Sequence, residues 1–128
     1  MKKMMIYTAL LLFFISVMGC EMSSESEIQE ISTSELAQLL KGDNQDYYFV
    51  DVREEDEYNE THIKEMVNVP LSTLDTEYSK IPEDKTVVII CRSGNRSLQA
   101  ANLLKENGYK DLINVKGGML KWDGEVTG

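Results

Sequence analysis

The sequence is poor in several residue types. Its 128 residues hold one histidine, one tryptophan, two prolines and two cysteines. Basic residues are also few, 13 against 22 acids, for a net charge of −9. That balance excludes a nucleic-acid partner, which needs a basic face. The length suits one domain and not two, and no internal repeat is visible. One stretch, Met4 to Val17, is almost wholly apolar, and it is shorter than the ~20 residues of a membrane-spanning helix. With a single histidine, His62 is the only default proton-transfer residue. What remains is a chain with 42 % apolar residues, enough for a core.

The apolar stretch follows Lys2 and Lys3 and ends at Val17, Met18, Gly19 and Cys20. This is the layout of a signal peptide. Gly19 followed by Cys20 resembles a bacterial lipobox, whose cysteine is lipidated and becomes the new N-terminus. The expected organisation is a lipoprotein signal peptide over 1–19, a tether over 20–27 and a folded domain over 28–128. The tether reading rests on the polar, Ser/Glu-rich run that continues to Gln29. The alternative is an uncleaved N-terminal anchor. A lipidated Cys20 leaves Cys91 without a partner for an internal disulfide. An exported domain with one unpaired thiol is unusual, because compartments outside the cytoplasm favour disulfides. That points to chemistry at Cys91.

Beyond the tether, strand and helix signals alternate. Ser32 and Glu35 fit a capping box opening a helix through Leu36, Leu39 and Leu40, which Gly42 closes. Tyr47 to Val52 reads as a buried strand. Glu54 to Asn59 reads as a short helix whose four leading acids form a solvated face. Val67 to Val69 is a short strand, and Thr73 to Lys80 a weak helix. Thr86 to Ile90 is the strongest strand, continuous and β-branched. Asn95 to Asn107 reads as a helix with Leu98, Ala101, Leu103 and Leu104 on its apolar face. Leu112 to Val115 is a strand, and Gly117 opens a last helix. This rhythm predicts an α/β fold, a parallel central sheet with helices on both faces.

The stretch CRSGNRS, residues 91 to 97, joins the strongest strand to a helix. In parallel sheets, ligands bind beyond the carboxyl ends of the strands. A thiol at a helix N-terminus, with Arg92 and Arg96 beside it, is expected to ionise below the ordinary cysteine range. Gly94 lets the backbone curl, so that the N–H groups of Arg92, Ser93, Gly94, Asn95, Arg96 and Ser97 form an anion-holding nest. Ser93 and Ser97 add hydroxyls. Asp51 and Arg53 are expected to form a buried ion pair, and Trp122 to pack in the core.

CRSGNRS resembles the active-site loop of the rhodanese family, Cys-x-x-Gly-x-Arg, with Cys91, Gly94 and Arg96 at its fixed positions. Phe49 to Arg53 with Glu57 and Tyr58 is similar to that family's opening motif. His62, Ile63 and Asn68 to Leu71 are similar to its second, and Val115 to Gly118 with Trp122 to its ending. Three positions depart from the family pattern: Thr61 stands before His62 where glycine is usual, and Glu65 and Met66 replace a Gly-Ala pair.

The resemblance implies a rhodanese-like fold and a sulfurtransferase. Cys91 would take a sulfane sulfur from a donor such as thiosulfate and pass it from a persulfide to a thiol or cyanide acceptor. The loop would cradle the persulfide, with no metal and no organic cofactor, and His62 would be structural. Two alternatives remain: a membrane-tethered sulfur carrier or partner-binding module, and a phosphatase or arsenate reductase. Phosphatase cradles place their arginine one residue later, where Ser97 stands here. The expected protein is monomeric and sits at the cell membrane, lipid-anchored through Cys20 and facing outside the cytoplasm.

Overall fold

The computed structural model describes residues 27–128. The signal peptide, Cys20 and nearly all of the tether lie outside those residues. Among the described residues, no helix is long and apolar enough to cross a membrane.

Five strands form one sheet: β1 (Gln29–Ile31), β2 (Tyr47–Asp51), β3 (Val67–Asn68), β4 (Thr86–Ile90) and β5 (Leu112–Val115). Their order is β1-β5-β4-β2-β3, and every pairing is parallel. The helices are α1 (Thr33–Lys41), α2 (Glu55–Glu60), α3 (Leu71–Glu77), α4 (Asn95–Glu106) and α5 (Gly118–Lys121). A single 3-10 turn, Tyr78–Lys80, extends α3. The expected α/β class, with a parallel sheet between two helical layers, is therefore what forms.

β4 lies at the centre because its sequence suits nothing else. Val87 and Ile89 point to one face, Val88 and Ile90 to the other, and all four are fully buried. Val87 and Ile89 pack with Leu74 of α3 and with Ala100, Ala101 and Leu104 of α4. Val88 and Ile90 pack with Leu36 of α1, Tyr58 of α2 and Met119 of α5.

Connection handedness explains the split. The chain moves toward one sheet edge from β1 to β2 to β3, then reverses through β4 to β5. Right-handed crossovers travelling in opposite directions place their helices on opposite faces. So α1 and α2 cover one face, and α3 and α4 the other. The connections leaving β2 and β4, neighbours in the sheet, diverge to opposite faces and open a crevice at the strands' carboxyl ends. Cys91 follows β4 directly into that crevice, and Arg53 stands just beyond the end of β2.

The α1 capping box forms as expected. The Glu35 N–H donates to Ser32 Oγ at 3.1 Å, and the Ser32 N–H to Glu35 Oε1 at 3.1 Å. Two expectations are corrected. β1 forms where the sequence shows only a polar run: Gln29 opens it and pairs with Ile113. A three-residue edge strand has too few residues to show a period. On α4 the buried stripe is Ser97, Ala100, Ala101 and Leu104, an i, i+3, i+4, i+7 set. Leu98 lies off that stripe and is 39 % exposed, while Leu103 is partly buried. The stripe begins with a serine, which an apolar pattern passes over.

Candidate active site

Cys91 is 1 % exposed. Its sulfur sits under the turn that opens α4, where the Gly94 N–H donates to Sγ at 3.1 Å and Ser97 Oγ lies 3.3 Å away. Gly94 is the N-cap of α4 with φ 108°, a left-handed conformation that glycine adopts without strain. That turn aims the N–H groups of the loop at the sulfur.

Burial raises the thiol's pKa, since a thiolate loses hydration there. Hydrogen bonding with the Ser97 hydroxyl, and from the N–H groups of Ser97, Gly94 and Ser93, opposes burial and outweighs it. The net direction is below the ordinary cysteine value. The expected lowering is therefore present, and the hydrogen-bond nest contributes to it more than the arginines do. Arg96 gives its guanidinium to Glu57 of α2, Nη1 to Oε1 at 2.7 Å and Nη2 to Oε2 at 2.9 Å. That pairing raises the Arg96 pKa, with a smaller contribution from Cys91. Arg92 is exposed. It lines a cleft of about 230 Å³ with Arg53, Glu57, Glu60, Thr61, Met119 and Leu120. Ser93 and Asn95 are exposed as well, Ser93 contributing its N–H to the sulfur.

A second layer fixes the loop from behind. The Met119 N–H donates to the Cys91 carbonyl at 2.9 Å, and the Leu120 N–H to the Arg92 carbonyl at 3.0 Å. This places the first turn of α5 directly on the loop. Gly118 makes the approach possible: a Cβ there would overlap the Cys91 carbonyl oxygen and lie 2.6 Å from the Arg92 carbonyl carbon and oxygen. On the β2 side, Arg53 Nη2 meets Asp51 Oδ2 at 2.8 Å and the Thr61 carbonyl at 2.7 Å. This is the buried pair expected from sequence. His62 stacks on Tyr58 with ring centroids 3.7 Å apart, and its Nδ1 bonds the Tyr58 carbonyl at 2.8 Å. These contacts give it a structural role, as expected. Trp122 is half-buried against the second core cluster, and its Nε1–H donates to the Glu125 carbonyl.

Three residues near the site escaped the sequence reading. Glu57 was grouped with a solvated acidic face, and it instead anchors Arg96. Asn114 is buried within β5 and accepts from Ser97 Oγ at 2.5 Å. Glu30 of β1 in turn accepts from Asn114 Nδ2 at 3.0 Å. The signal for Asn114 was present, as a polar residue inside the apolar run Leu112 to Val115 must find a buried partner. Among the described residues, no cluster of histidine, cysteine or carboxylates is arranged to hold a metal.

The chain matches the rhodanese-like domain over residues 32–125. It is 39 % identical over 100 residues to YtwF of Bacillus subtilis, provisionally named a sulfurtransferase, covering 78 % of this chain and 95 % of that one. It is 37 % identical to a sulfurtransferase of Allochromatium vinosum, covering 74 % and 88 % of the two chains. Among solved structures it resembles a rhodanese-like domain protein of Staphylococcus aureus, with a TM-score of 0.69 and 30 % identity. That match covers 77 % of this chain and 94 % of the other.

Proposed function

Because the chain belongs to the rhodanese-like domain family, we propose that it is a sulfurtransferase that carries sulfane sulfur as a persulfide on Cys91. The observation that carries this reading is the set of N–H groups converging on the buried Cys91 sulfur, led by that of Gly94. Such a nest stabilises a thiolate before the reaction and a negatively charged outer sulfur after it.

With thiosulfate as donor, the Cys91 thiolate attacks the outer sulfur. The new Cys91 S–S bond forms, and sulfite leaves with the electron pair of the old one. A nucleophilic acceptor, cyanide in vitro or a thiolate, then takes the outer sulfur and returns Cys91 as thiolate. The Arg92 cleft offers an exposed cation where an anionic donor would arrive. The Arg92 charge suits thiosulfate, although Glu57 and Glu60 share the cleft, and the cleft's small volume suits a small donor. The test is mass: incubation with thiosulfate should add one sulfur atom to the wild-type protein and none to Cys91→Ser. An unchanged wild-type mass overturns thiosulfate as donor, and failure with every sulfane donor overturns the persulfide.

The proposal includes location. Lys2, Lys3, the apolar run to Val17 and the Gly19–Cys20 junction support a lipid anchor on Cys20. A diacylglyceryl cysteine gives the two chains that stable anchoring needs. Metabolic labelling with a clickable fatty acid should mark the wild-type protein and not Cys20→Ala. A wild-type protein that stays unlabelled and keeps Met1 overturns the anchor.

A further inference from the structure

A chain of hydrogen bonds leads from the Cys91 sulfur through β5 to β1. It runs from Sγ to Ser97 Oγ at 3.3 Å, to Asn114 Oδ1 at 2.5 Å, and from Asn114 Nδ2 to Glu30 Oε2 at 3.0 Å. Asn114 Nδ2 also lies 3.4 Å from the Gly94 carbonyl. Both neighbours of Nδ2 are pure acceptors, so the amide nitrogen must face them and the amide oxygen must face Ser97. That oxygen accepts only, so the single Ser97 proton lies between Oγ and Oδ1. Ser97 then presents only a lone pair to Cys91. It can accept from the thiol, and it has no proton left to give a thiolate.

Ionised Cys91 needs the opposite arrangement. The thiolate has no proton, and two lone pairs would face each other across the Sγ–Oγ contact. The Ser97 hydroxyl must turn and donate to sulfur, giving up Asn114. We propose that Asn114, oriented by Glu30, is a positioning residue that competes with the Cys91 thiolate for the one proton of Ser97. The proposal deepens the sulfur-transfer reading, since the same hydroxyl must donate to Cys91 when it leaves as thiolate in the second half-reaction. Its test, however, needs no sulfur donor, so it stands or falls separately.

Other charges also bear on the sulfur. Arg96 faces it from α4, already paired with Glu57 of α2. Arg92 belongs to the loop, the Asp51–Arg53 pair closes β2, and Glu30 reaches in from β1. The α5 side presents Met119 and Leu120, which carry none. A simple charge effect of Glu30 must therefore be separated from an effect through the hydroxyl.

The experiment is ultraviolet titration of the Cys91 thiolate in Cys20→Ala protein lacking residues before the tether, so that Cys91 is its single thiol, with circular dichroism to verify folding. Asn114→Ala removes the competitor without changing charge, so the thiol midpoint should fall by about one pH unit, a tenfold gain in thiolate at fixed pH. Glu30→Ala, an exposed position that does not endanger the fold, should lower it in the same direction by less, since the Gly94 carbonyl still holds the amide. Asn114→Asp keeps the acceptor and adds a negative charge, and should raise it. In a Ser97→Ala background the Asn114→Ala shift should vanish. A shift that persists there shows a field or packing effect and overturns the proposal. So does a folded Asn114→Ala protein whose midpoint stays put or rises.

Discussion

Arg96 and Glu57 are 39 residues apart in sequence and meet as a bidentate fork, at 2.7 and 2.9 Å, across the mouth of the Cys91 loop. The pair ties α2 to the first turn of α4. It also offsets the Arg96 charge, which leaves the loop's backbone N–H groups and Arg92. Fork geometry gives the contact direction as well as energy.

The fork makes a prediction for acid stability. The Arg96 hydrogen bonds, helped by the Glu54 N–H, hold the Glu57 pKa down at about 2. A carboxylate with a lowered folded-state pKa contributes stability in full above its unfolded value of ~4.3. The contribution fades as pH falls from there toward 2. Glu57→Gln should therefore cost about 1 kcal/mol at neutral pH, discounted because both side chains are about 30 % exposed. It should also flatten the loss of stability below that value. Urea unfolding at a series of pH values checks this. Parallel curves for variant and wild type would show that the fork contributes nothing to acid unfolding.

A second prediction concerns the pair at the end of β2. Asp51 is fully buried and Arg53 nearly so, and the Asp51 carboxylate takes the Arg53 backbone N–H together with its guanidinium. Arg53→Met keeps much of the volume and removes the charge. The buried carboxylate left alone should lower stability by about 3 kcal/mol. In urea the midpoint should drop with little change in slope. A loss below 1 kcal/mol would mean that water reaches Asp51.

Much of this arrangement was legible in the sequence, and what was not has physical reasons. β4, β5 and the α1 capping box were legible because each rests on local chemistry: β-branched runs, and a Ser/Glu pair three residues apart. The Cys91 loop was legible because a strand, a thiol, a glycine and a helix start are contiguous. Three features that depend on distant elements were not. β1 shows itself only by pairing with β5. Glu57 looks solvated until α4 is placed beside α2. Asn114 hides within an apolar strand, and its bond to Ser97 shows only once β5 lies beside α4. The relative weight of the causes lowering the Cys91 pKa was hidden for the same reason, because only the fold shows that Glu57 holds Arg96.

Gly118 supports a third prediction. Its φ is +54°, and its Cα stands against the Cys91 and Arg92 carbonyls that accept the α5 amides. Any side chain there must push α5 off the loop. Gly118→Ala should cost about 3 kcal/mol, combining left-handed strain with overpacking against backbone that cannot yield. Gly42, with an extended φ and no close neighbour, is the control, and Gly42→Ala should be near neutral. Thermal unfolding of the two variants compares them directly. Equal melting temperatures would remove the argument that Gly118 is required by the loop.

The last prediction joins the thiol to the reaction. Sulfur transfer begins with thiolate, so the rate of persulfide formation should follow Cys91 ionisation. Burial opposes that ionisation, and the nest overcomes it, leaving the thiol below the ordinary cysteine value. The sign follows. The rate with thiosulfate should climb as pH rises through the Cys91 value and level off at a lower pH than it would for an ordinary cysteine, because thiolate is then already formed. Gly94→Ala should move the plateau to higher pH. Its side chain strains the φ of 108° that aims the N–H at sulfur, although the nearest neighbouring atom, the Gly117 nitrogen, is 3.5 Å from the added carbon. Local room means that the fold should survive while the nest is disturbed. Cys91→Ser should show no plateau and no transfer, since serine's hydroxyl does not ionise in this range. Stopped-flow measurement of sulfite release across pH, with the thiolate titrated in parallel, tests the link. A rate still climbing above ~8.5 while the thiolate signal is already flat would place the controlling ionisation on a group other than Cys91.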